Sequence, residues 1–179
     1  DDSGLSLGAA LFYSKGKKYC LDIGCDKRNF DEFYRCDYVG IDLPKDHFNR
    51  DSSNKNSNQL LKPHIFGTGV NLPFADNSFD LVTCYSVIPY VDDIDTFLNE
   101  MFRVIKPKGI AVIIIMNLRG LALHPNEFHP NKYNSKQLQQ KLNQHGFNSI
   151  KHKNLKTLFY STYFDFSSVY AYAIVTPKK

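Results

Sequence analysis

The chain has four cysteines and no Cys-x-x-Cys pair. Cys20, Cys25, Cys36 and Cys84 are too few and too scattered for a zinc knuckle or a disulfide scaffold. The expectation is four reduced, buried, inert thiols in a cytoplasmic protein, with no metal site. No apolar run approaches the roughly 20 residues that span a bilayer, so no membrane segment is expected. Leu5 to Tyr13 lacks the basic lead-in and small-residue end of a leader peptide. There is no internal repeat, and no basic stripe interleaved with aromatics. The net charge of +4 is mild and scattered, which gives no nucleic-acid signal.

What is present is an ordinary globular balance, 42% hydrophobic and 22% charged over 179 residues. That length suits a single domain with a real core. We divide it into an extension (1–17), a core (18–117) and a distal part (118–179). Lys18 to Ile23 reads as a strand closed by Gly24, and Tyr38 to Leu43 as a second strand with Asp42 near its carboxyl end. Glycine at a strand end lets backbone and ligand approach closely. An acid roughly 20 residues further on is placed to meet a ribose hydroxyl in nucleoside-binding α/β folds.

The rest of the chain alternates strands with helical segments. Leu5 to Ser14 is a candidate helix with Leu7, Ala10 and Leu11 on one face. Asn29 to Arg35 has room for a turn or two of helix, with Phe30 and Phe33 inward. Asp46 to Lys62 is a polar surface loop. His64 to Thr68 and Phe79 to Tyr85 are strands three and four. Ile94, Phe97, Leu98, Met101 and Ile105 share a helical face behind Asp92 or Asp93 as cap. Ile110 to Asn117 is apolar on both faces, as a central parallel strand is. Arg119 to Asn131 is a loop carrying His124 and His129, read as surface residues. Ser135 caps a helix through Gln144 that Gly146 stops, and Phe147 to Leu155 and Val169 to Thr176 close the sheet. The pattern predicts a mostly parallel α/β sheet whose ligand sits outside the strands' carboxyl ends. Asp22, inside an apolar strand, reads as a structural acid that bonds the amides of the next turn. Asp80 reads as a brace for the start of strand four.

Three stretches carry a family resemblance. Leu21-Asp22-Ile23-Gly24-Cys25 resembles the first motif of class I S-adenosylmethionine-dependent methyltransferases. Leu72-Pro73-Phe74-Ala75-Asp76-Asn77-Ser78-Phe79-Asp80 resembles a signature of their small-molecule branch. Arg103-Val104-Ile105-Lys106-Pro107-Lys108-Gly109 resembles the turn before their fifth strand. The resemblance implies a Rossmann-like fold, S-adenosyl-L-methionine as cofactor and a small-molecule methyl acceptor. It implies that Asp22, Gly24, Cys25 and Asp26 form the first strand's tip beneath the cofactor, that Asp42 takes the ribose hydroxyls, and that Leu43 packs on adenine. It places Thr68, Gly69 and Val70 at the adenine edge, and Tyr85 and Ser86 near the methyl group.

The chain departs from the pattern. The second and third glycines of the family turn are Asp26 and Arg28, Thr68 stands where an acid is common, and Lys108 replaces a glycine. Two other readings stay open: a fold-retaining relative that binds or scaffolds without turnover, and a nicotinamide-dependent oxidoreductase using Asp42 on its ribose. The oxidoreductase reading lacks a Gly-x-Gly-x-x-Gly turn.

Overall fold

The computed structural model describes residues 3–27, 31–44, 62–116, 129–147, 149–153 and 169–175. Helix α1 spans Ser3–Ser14, strand β1 Tyr19–Ile23, β2 Asp37–Asp42, β3 Ile65–Phe66 and β4 Phe79–Tyr85. Helix α2 (Ile94–Val104) leads into β5 (Ile105–Met116). Helix α3 (Ser135–Gln144), β6 (Ser149–Lys153) and β7 (Val169–Val175) follow. Predicted segments 46–61, 117–128 and 154–168 lie outside the described residues, as do Phe30 and His124.

The seven strands form one sheet in the order β3-β2-β1-β4-β5-β7-β6. Strands β1 to β5 are parallel. Strand β7 runs antiparallel between β5 and β6. The chain steps outward from β1 to β2 and β3, then returns to start β4 on β1's other side. That reversal opens a crevice at the carboxyl ends of β1 and β4, the switch point of an open α/β sheet.

The core lies on both faces of the sheet. On β5, Ala111, Ile113 and Ile115 face one layer while Ile110 and Val112 face the other. The first layer holds Phe97, Leu98 and Met101 of α2 with Leu138 and Leu142 of α3. The second holds Ala10 of α1, with Tyr34. Helix α2 forms because its apolar residues recur at helical spacing and Asp93 accepts from Thr96 N at 3.0 Å.

Four local expectations change. The fifth strand begins at Ile105, and its pairing jumps from Phe79↔Ile105 to Leu81↔Ile110. Pro107 and Gly109 thus mark a bulge inside the strand, with Lys108 at φ 64. Strand β3 is two residues long. The cap of α3 is Asn134, one residue earlier than expected, and Gln137 completes a reciprocal capping box. The fourth change concerns the cysteines. Cys20 and Cys36 form a disulfide, while Cys25 and Cys84 are free and buried. Parallel pairing puts Cys20 opposite Tyr38, which brings Cys36, just before β2, to 6.2 Å between Cα atoms. Sequence spacing alone does not reveal that neighbourhood.

Candidate active site

The crevice is a cleft of about 640 Å3, inside the usual range for small-molecule sites. Gly24, Asp42 and Leu43 line it from β1 and β2. Thr68, Gly69 and Val70 line it from the turn after β3, and Tyr85 and Ser86 from the end of β4. Eight of the expected residues therefore meet in one place.

The backbone explains why. Gly24 has φ 78, and a Cβ there would lie 2.1 Å from Val87 Cγ2. Its N–H and that of Cys25 donate to Ile41 O at 2.8 and 3.3 Å, which locks the turn onto β2. The next residues bring Asp26 N–H to Asp42 Oδ2 at 2.7 Å, and Leu43 N–H donates to Asp42 Oδ1 at 2.7 Å. The Asp42 carboxylate is thus oriented by two amides at the cleft wall, and it is buried. Asp26, at a family glycine position, adopts φ 47. Aspartate tolerates that left-handed region better than most residues, so the turn keeps its shape without the glycine. Across the cleft, Gly69 lies against Phe97, where a Cβ would come within 2.3 Å of the ring.

Three expected residues do not line the cleft. Cys25 turns toward Gly40, whose Cβ would stand 2.7 Å from its Sγ. Asp26 contributes its backbone to Asp42. Asp22 is buried on the α1 face, and it does not bond the turn's amides as expected. It accepts instead from Thr83 Oγ1 at 2.7 Å and Tyr38 Oη at 3.1 Å. Burial pushes its carboxyl up to about 7, against those two hydrogen bonds and with a small push from Asp42. Burial also raises the Cys25 and Cys84 thiols, which leaves both protonated and poor nucleophiles.

Sequence reasoning missed Gly67, Val91, Asp92, Asp93 and Phe97. Asp93 is the cap and Phe97 a core residue, as the periodicity predicts, and that role hides their second one, since both also line the crevice. Tyr90 lines the rim at 44% exposure. His129, expected on the surface, is buried at 6% exposure, with its ring 4.9 Å from that of Tyr90. The charged side chains on the described cleft wall are all carboxylates, Asp42, Asp92 and Asp93. Such a wall attracts a cation and repels a phosphate or carboxylate. Among the described residues no cluster of three metal-ligating side chains occurs, and no helix is long and apolar enough to cross a membrane.

Two of the motifs of the resemblance also meet in space. Arg103 donates to Leu72 O at 3.0 Å, Phe74 O at 2.7 Å and Asp76 Oδ1 at 2.8 Å, and pairs with Glu100 at 2.6 Å. Asp80 accepts from Tyr19 N at 2.9 Å and Lys106 Nζ at 3.0 Å, the bracing role expected of it.

Comparison with known proteins agrees with this architecture. The family model described as "Methyltransferase domain" matches residues 21–113, just over half of the chain. The sterol 24-C-methyltransferase of Schizosaccharomyces pombe is 30% identical over 96 residues, which are 50% of this chain and 25% of that protein. The chain spans a quarter to about half the length of the first curated relatives it matches. Among solved structures, a SAM-dependent methyltransferase from Archaeoglobus fulgidus superposes with a TM-score of 0.70 at 18% identity, covering 97% of this chain and 93% of that one. Phosphoethanolamine N-methyltransferase 2 of Haemonchus contortus, in complex with S-adenosylhomocysteine, gives 0.69 at 15% identity, covering 99% of this chain and 53% of that one. With the sheet order, the cleft and the family match in agreement, the chain belongs to the class I S-adenosylmethionine-dependent methyltransferases.

Proposed function

We propose that this chain binds S-adenosylmethionine in the cleft between β1 and β4 and methylates a small-molecule acceptor. The observation that carries the reading is the Asp42 carboxylate, buried at the cleft wall and aimed by Asp26 N and Leu43 N at 2.7 Å each. A carboxylate aimed by two backbone amides is a fixed acceptor at the height where a ribose would lie, and hydrogen bonds to a carboxylate are among the stronger ones.

The residues present fit the cofactor. Gly24 leaves a side-chain-free floor against Val87. Gly69 and Phe97 form a flat apolar patch for a purine. The carboxylate-only wall suits a sulfonium and an ammonium. The bound cofactor would supply an already activated methyl group. The chain's part is to hold donor and acceptor in line, which accounts for much of the acceleration in such reactions. Tyr85, Ser86 and Tyr90 line the same cleft, and an acceptor would sit beside them.

Isothermal titration with S-adenosylhomocysteine tests the reading. Binding is expected in the wild type, weakened in Asp42→Ala by about 1.5–3 kcal/mol, the scale of hydrogen bonds to a charged group. Equal affinity in the two proteins would remove Asp42 from the site, and no binding at millimolar ligand would remove the cofactor.

A further inference from the structure

Strand β3 sits at the edge of the sheet and is two residues long, yet the turn that follows it, Gly67 to Val70, forms one wall of the cleft. Backbone pairing alone gives so short a strand little hold. Its register is Ile41↔Ile65 and Asp42↔Phe66. His64 N–H to Gly40 O and Gly67 N–H to Asp42 O, each at 2.9 Å, flank that register. One side chain adds to them: Gly40 N–H donates to His64 Nδ1 at 3.0 Å. A longer strand would offer that N–H a carbonyl. Strand β3 starts only at Ile65, after Pro63, and the imidazole takes the carbonyl's place. Gly40 is buried, so its N–H is costly to leave without an acceptor.

We propose that His64 is a positioning residue for cofactor binding: its neutral imidazole, bonded to Gly40, holds β3 and the Gly67–Val70 wall against Asp42, and its protonation releases them. The proposal rests on the reading of this cleft as the cofactor site. A backbone N–H only donates, so Nδ1 is the acceptor and the proton of neutral His64 sits on Nε2. A carbonyl would keep its lone pairs at any working pH. An imidazole gives up its lone pair on gaining a proton, ordinarily at about pH 6.5. Imidazolium would then set one N–H against another, and the bond to Gly40 breaks. The bond is therefore present above that range and lost as pH falls through it. Asp42 joins the two ends of the device, because its carbonyl takes Gly67 N–H while the residue itself lines the cleft.

The groups around the ring suit a change of partner. Asp31 and Glu32, from the short helical turn before β2, line an open hollow together with Tyr38 and His64. The Tyr38 ring stands 5.6 Å from the imidazole, edge to face. Lys62 lies upstream on His64's own segment and is exposed. Two carboxylates in the hollow attract an imidazolium, which gives the charged ring a direction to turn in once Gly40 no longer holds it. Behind Tyr38, the buried Asp22 carboxyl accepts the Tyr38 hydroxyl at 3.1 Å, and it is a second group near β2 that takes up protons.

The test is nitrogen-15 magnetic resonance of the ligand-free protein, titrated from about pH 8 to about pH 5.5, across the imidazole range. At the upper end the His64 ring nitrogens should report the Nε2–H tautomer. An Nδ1–H tautomer there overturns the proposal, since it cannot accept from Gly40. On acidification the amides of Gly40, Gly67, Gly69 and Val70 should move with the same midpoint as the ring. His64→Asn offers Gly40 an amide oxygen that takes no proton in this range, so the movement should be lost in that variant. Asp22 titrates in both proteins, and the difference between them belongs to His64. Equal movement in the two overturns the positioning role, and so does a Gly40 signal that follows the ring while Gly67 to Val70 stay still. Calorimetric titration with S-adenosylhomocysteine adds a binding readout. Affinity should fall about tenfold over that range in the wild type, the scale of one hydrogen bond, and His64→Asn should hold its affinity. Matching pH profiles in the two proteins sink the proposal. No binding to either protein at any pH sinks the cofactor reading instead, and the amide signals then decide on His64. If His64→Asn does not fold, the ring tautomer and the midpoint of the wild-type amides decide.

Discussion

At the scale of single residues, two positions where glycine is missing from the family motifs explain themselves by backbone angle. Asp26 at φ 47 and Lys108 at φ 64 both keep the left-handed conformation that a glycine would adopt. Aspartate bears that conformation at modest cost, whereas an exposed lysine gains nothing from it. Lys108→Gly should therefore raise stability by about 1 kcal/mol in chemical denaturation. An unchanged or lowered midpoint would contradict the strain.

Asp22 makes a prediction of the opposite kind. Its folded carboxyl keeps the proton up to about pH 7, while the unfolded carboxyl loses it near 3.8. Stability assigned to this residue therefore falls as pH rises between those values and levels off above them. The fall should be about 4 kcal/mol, and Asp22→Asn should remove that slope. Denaturation midpoints at several pH values measure both. Asp42 was legible because its offset from the glycine turn is a local rule. The partners of Asp22 were not, since Thr83 lies 61 residues away and reaches it only through the β1–β4 pairing.

At the scale of elements, Arg103 is the clearest device. It projects from the last turn of α2 onto the carbonyls of Leu72 and Phe74 and the carboxylates of Asp76 and Glu100, while Glu100 also accepts from Leu72 N at 2.7 Å. The turn before β4 is thereby stapled to the helix after it. Arg103→Ala leaves those acceptors without their charged donor and should cost about 2–3 kcal/mol in urea denaturation. A loss below about 0.5 kcal/mol, the scale of an exposed pair, would show that the staple is ornamental. The helix itself was readable, because periodicity and the Asp93 cap are local. The extension of β5 back to Ile105 was not. Pro107 and Gly109 look like a stop, and only pairing of Ile105 with Phe79 carries the strand past them. Asn134 displaced Ser135 as a cap for a similar reason, since both residue types cap well and the reciprocal bond with Gln137 decides.

At the scale of the whole molecule, the sheet's change of direction between β1 and β4 creates the cleft, and ligand there should stabilise everything around it. With S-adenosylhomocysteine at a hundredfold excess over its Kd, linkage adds about 2.7 kcal/mol. In a chain of 179 residues that should raise Tm by about 5–10 °C. No shift at saturating ligand would contradict binding to the folded state. Order along the chain carried the fold: apolar runs, glycine and proline punctuation, one amphipathic helix and three motifs in sequence, all set by interactions within a few residues. The meeting of Cys20 with Cys36, the burial of His129 beside Tyr90, and the bond from Thr83 to Asp22 belong to the tertiary structure. Each joins residues that only strand pairing or loop return brings within bonding distance. Sequence spacing specifies which element a side chain rides on, and packing decides which side chains it meets.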